Sequence, residues 1–91
     1  MTDAQTIMQW LCSLRNYQYI VRQVPDDPVT REAKDSLEER LRWGIAEWGG
    51  LDKIETWLVK HDPGHSTPSR VIGLDWSWLP EAQGVKVGQG P

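Results

Sequence analysis

QVPDDPVT, residues 23–30, decides how the first half of this chain folds. Two prolines bracket two aspartates, and each proline limits the backbone differently. Pro25 cannot continue a helix arriving from the N-terminal side, whereas Pro28 sits well at a first helical position, where its missing N–H leaves no bond unmade. Asp27 then supplies the N-cap carboxylate. The stretch therefore predicts a tight corner between two helices.

Working back from the corner, Ile7, Trp10, Leu14, Tyr17, Val21 and Val24 are spaced alternately three and four apart. That period marks one apolar face of a helix from Thr2 or Asp3, either of which can cap it, to about Val24. Leu11 and Ile20 widen the stripe, so the helix packs on two neighbours, while Met8, Cys12, Arg15, Tyr19 and Arg22 project from other sides. Working forward, Leu37, Leu41, Gly44 and Trp48, with Ala33 and Ile45 beside them, predict a second helix over 28–48. Arg31 with Asp35 and Glu38 with Arg42 read as i,i+4 ion pairs on its solvated side. Gly49-Gly50 stops that helix. Asp52, three residues before Glu55, resembles a capping box opening a third helix over 51–61, with Leu51, Ile54, Trp57 and Leu58 inward.

Beyond His61 both composition and period change. Residues 62–70 are turn material and read as a linker. In 71–79, Ile72, Leu74, Trp76 and Trp78 alternate with small or polar residues, the period of a strand with one apolar face. Pro80 stops it, and Gly84 to Gly88 reads as a short return strand. The expected fold is mainly α: a three-helix domain over 1–61, the linker, and an extended Trp-bearing tail or short β-hairpin over 71–91 that packs on the helices or on a partner.

Ninety-one residues make one small domain, with 10 Lys+Arg against 13 Asp+Glu and a formal net charge of -3. A chain of this size buries only about 60–68% of its unfolded surface, so a bound partner or a second copy is an expected supplement, either a homodimer or a higher oligomer. An acidic balance argues against nucleic acid as a direct ligand. The lone Cys12 excludes an intrachain disulfide and fits a reducing, cytoplasmic setting. Neither a signal peptide nor a membrane span is read from the pattern. Six Trp and two Tyr with no Phe make an aromatic set of the kind enriched where one end of a ring is buried and the other wet.

Catalytic signatures are missing from this reading. His61 and His65 have zinc-like spacing, but Pro63-Gly64 breaks the helix that would align them, so no metal and no cofactor is expected. Gly49-Gly50 lacks the residues of a phosphate loop, and the adjacent carboxylates Asp26/Asp27 and Glu38/Glu39 serve caps and solvation. No nucleophile–base pair stands out, and an enzyme is not expected.

Two constellations carry the functional expectation. Ile72, Leu74, Trp76 and Trp78 form an apolar tail face that must be buried against the helices, a second copy or a target protein. Arg15, Tyr19 and Arg22 form a cationic face on the first helix, in a segment with no acidic residue between Asp3 and Asp26, suited to a phosphate, a nucleotide base or an acidic patch. The leading expectation is a small non-enzymatic interaction module, an inhibitor, adaptor or regulator of a larger protein or complex. Small acidic proteins of phage and other mobile elements that block host machinery offer an analogy at class level only. The alternatives are a small-ligand or nucleotide binder using Arg15, Tyr19 and Arg22, and a purely structural oligomerising subunit.

Overall fold

A computed structural model describes residues 1–64 and 67–84. Helix α1 spans Ala4–Gln23, α2 spans Pro28–Trp48 and α3 spans Leu51–His61. Short 3-10 turns follow at Pro68–Arg70 and Glu81–Gln83. The protein is mainly α, and among the described residues there is no strand. No helix there is long and apolar enough to cross a membrane.

Each helix boundary has a local chemical cause. Asp3 caps α1 by accepting from the Thr6 N–H at 2.8 Å. At the corner, the Asp27 carboxylate accepts from the Val29 N–H at 3.0 Å and from the Thr30 hydroxyl at 2.6 Å. The Arg31 guanidinium donates back to the Pro25 carbonyl, bracing the turn from the far side. At the α2–α3 junction Gly49 takes a φ of 89° and Gly50 a φ of 117°, both in the region that favours glycine. Their N–H groups return to Ala46 and Ile45, closing a Schellman motif. Gly50 also caps α3 without a side-chain bond, so Asp52 and Glu55 do not form the expected capping box. Glu55 instead accepts from the Ser69 hydroxyl, because the chain after α3 folds back beside it.

Helices α1 and α2 lie against each other as an antiparallel hairpin. Gly44 is buried where they approach, and a side chain built there would meet Ile7 at 3.5 Å. The Trp48 indole donates to the Thr2 carbonyl at 2.8 Å, fastening the end of α2 to the start of α1. Ile7, Leu11, Leu14, Leu41, Ile45, Leu51, Ile54 and Leu58 are fully enclosed and form the centre of the core.

The buried stripe of α1 differs from its expected register. Ala4, Ile7, Met8, Leu11, Leu14 and Gln18 are buried, whereas Tyr17 and Trp10 lie at the edge and Ile20 and Val24 are exposed. The stripe turns toward Met8 and Gln18 because the returning chain adds Val71, Leu74 and Leu79 to the core. The ion pairs on α2 also differ. Lys34 bridges Glu38 at 2.7 Å and Asp35 at 3.4 Å, while Arg42 donates to the Trp78 carbonyl. The tail draws Arg42 away from Glu38.

Residues 67–84 fold over the helices through turns. A lone strand would leave its N–H and C=O groups without a ladder, and here other groups meet that need. Gly73 turns the chain at a φ of 84°. The backbone N–H of Asp75 donates to the Gln18 amide oxygen at 2.8 Å, and the Gln18 amide nitrogen donates to the Asp75 carbonyl at 2.8 Å. The Trp78 indole donates to the same carbonyl at 2.6 Å. The expected return strand falls almost wholly on residues 85–88, outside the described residues.

Candidate interaction surface

The turns separate the four apolar residues of the tail. Leu74 is buried, Ile72 is 82% exposed, and Trp76 and Trp78 are half-buried against the core. Their rings stack on each other with centroids 5.8 Å apart and planes 23° from parallel. The Asp75 carboxylate accepts from the Ser77 N–H and hydroxyl, an Asx turn that fixes the short link between the two indoles.

Along α1, Arg15, Tyr19 and Arg22 share one face, as their spacing requires. Arg15 is half-buried, Tyr19 is 58% exposed and Arg22 is exposed. Only Arg22 of the three lines a cleft of about 340 Å³ between α1, α2 and the tail, whose other charged walls are Lys34, Glu38 and Asp75. Two carboxylates against two cations leave that cleft without a net pull on an anion.

The charges around the turns set a pH dependence. The Ser77 N–H and hydroxyl, with lesser help from Lys34 and Arg22, hold the Asp75 carboxyl below the usual carboxylate range. Thr6 and Thr30 do the same for Asp3 and Asp27 at the two caps. A group whose folded pKa is depressed contributes stability in full above its unfolded value, about 4, and loses it as pH falls through the folded value. Glu38 acts in the other direction on Lys34, raising it, so that contribution is complete below the unfolded lysine value, about 10.4, and is lost only above it. Through the three carboxyls, melting temperature is expected to fall below about pH 4. Ser77→Ala keeps the N–H and removes the hydroxyl, and should move the Asp75 titration part of the way upward in carboxyl-carbon NMR; an unchanged titration would remove the hydroxyl as a cause and leave the N–H.

A second surface lies on the α1–α2 hairpin, at residues that do not line the tail cleft. A cavity of about 320 Å³ opens there between Trp10, Ser13 and Tyr17 of α1 and Ala33, Ser36, Leu37 and Arg40 of α2. Trp43, one turn beyond Arg40, is 67% exposed, and Val29 near the corner is 74% exposed. The chain matches no protein-family model, no curated protein and no solved structure.

Cys12 is a half-buried free thiol. His61 stacks on Trp57 at 4.5 Å, and His65 lies outside the described residues. Among the described residues no three His, Cys, Asp or Glu side chains are grouped to hold a metal ion. Sequence reasoning missed Trp43 and Val29 because attention to the inner seam of α2 hid a second one. The signal was present in the same 3.6-residue period.

Proposed function

We propose that this chain is a small non-enzymatic protein-interaction module, an inhibitor, adaptor or regulator of a larger protein, and that it docks through the α1–α2 face. One observation carries the reading: Trp43 is 67% exposed on α2, one turn beyond Arg40, which lines the groove with Trp10, Tyr17 and Leu37. A large aromatic left in water near a groove with aromatic walls is the pattern of an interface anchor, since Trp and Tyr supply much of the energy at such surfaces. The tail indoles are weaker anchors, being half-buried and committed to each other and to the Asp75 carbonyl. Arg40 at the groove wall adds a charge that sets orientation.

The test is capture of a target from the source cell by immobilised full-length protein. Trp43→Glu is expected to reduce recovery at least tenfold, roughly 1.4 kcal/mol, with helical circular dichroism unchanged because Trp43 is outside the core. Ile72→Glu, on the exposed tail, should leave recovery intact. Loss with Ile72→Glu or Trp76→Ala but not with Trp43→Glu would move the docking surface to the tail.

A further inference from the structure

Helix α2 carries two seams. The inner one, Leu37, Leu41, Gly44 and Ile45, is buried in the core. On the outer side Val29, Ala33, Ser36, Arg40, Trp43 and Glu47 succeed one another at four-three-four-three-four spacing, the repeat by which helices pair along an a/d stripe. Val29 and Trp43 on it are largely exposed apolar groups, unlike the residues of a solvated face. The two charges on the stripe, Arg40 and Glu47, have no ion-pair partner among the described residues. They stand seven residues apart, about 10.5 Å along the axis, and do not pair with each other.

We propose that a second copy of this chain docks on the C-terminal part of the outer seam of α2, at Arg40, Trp43 and Glu47, antiparallel, about a two-fold axis at Trp43. The proposal rests on the α1–α2 face being a docking surface; the second copy and the larger target compete for Trp43. The occupant follows from the charges. In an antiparallel crossing centred between positions 43 and 44, each Arg40 meets the partner's Glu47 and each Glu47 meets the partner's Arg40. The same symmetry brings the two Trp43 rings together at the axis, where aromatic pairs are most fully desolvated. A parallel crossing in register would instead oppose arginine to arginine and glutamate to glutamate, which is unfavourable. One cation and one anion on a single stripe thus make the surface complementary to itself in one orientation only.

Sedimentation velocity of the full chain over a range of concentrations tests this. The wild type is expected to be a reversible dimer, weakened by added salt because the pairs are at the surface. Trp43→Glu should be monomeric with wild-type helical circular dichroism. Arg40→Glu and Glu47→Arg should each weaken dimerisation about tenfold, and the double variant Arg40→Glu/Glu47→Arg should restore it. A monomer at every concentration overturns the proposal, as does a dimer indifferent to Trp43→Glu. A double variant no stronger than the single ones overturns the antiparallel pairing. If the monomeric wild type still captures a target that Trp43→Glu loses, self-pairing fails while the docking surface stands; if it does neither, both fail.

Discussion

Leu41→Ala is expected to destabilise the domain by roughly 2–5 kcal/mol, the range for removing a fully buried leucine side chain. Leu41 is fully enclosed, at the middle of α2 between Leu37 and Ile45 on the same face. Truncation removes its transfer free energy and leaves a void that the two flanking side chains, held on a rigid helix, cannot close. A chain of this length has about 5–14 kcal/mol of total stability, so the loss is a large fraction of it. Each kcal/mol lowers the melting temperature by about 4–8 °C at this size, so thermal unfolding followed by circular dichroism should shift by roughly 10–30 °C. A shift of only a few degrees would show that α2 is loosely packed at this point, contrary to its complete enclosure.

Gln18→Leu is the second large effect, and it acts on the tail. Gln18 is 8% exposed and spends both ends of its amide on the backbone of Asp75. Leucine keeps the volume but removes the donor and the acceptor, leaving the Asp75 N–H without its partner and the carbonyl with the Trp78 indole alone. A polar group left unsatisfied under cover costs about 1–3 kcal/mol, and the segment can escape that cost by coming away into water. Limited proteolysis is expected to cut near 71–80 in the variant and not in the wild type, with loss of near-ultraviolet dichroism from the stacked Trp76 and Trp78. The far-ultraviolet helical signal should persist, because the centre of the core comes from the three helices. Equal protection of both proteins would mean that Val71, Leu74 and Leu79 hold the tail without the glutamine.

The helices were legible because their signals are local. Asp27-Pro28 at the corner and Gly49-Gly50 at the second junction act through the backbone of their own neighbours, and the positions read from them coincide with the helix ends. The tail was less legible because its structure depends on a residue more than fifty positions away. Gln18 on a core stripe looks like a polar intruder until Asp75 is placed beside it. Gly73 reads equally as a small strand residue or as a turn, and only a φ of 84° separates them. Met8 joined the core for the same reason, since the returning chain turned the buried stripe toward it. Of the candidate site, Arg15, Tyr19 and Arg22 share a face as read. The outer seam of α2 was overlooked because Arg40 and Glu47 interrupt its apolar character.

The way Gln18 holds the tail also bears on what evolution or an engineer could change. The amide contacts main-chain atoms only, and every residue except proline offers the same N–H and C=O at position 75. The latch is therefore blind to the side chain it grips. Replacing Asp75 would sacrifice the Asx turn with Ser77 but not the fastening itself, and exposed positions such as Ile72 and Ser77 lie outside the fastening altogether. With Val71, Leu74 and Leu79 kept for the core, the exposed positions of the tail are free to change their surface chemistry while Gln18 goes on registering the backbone.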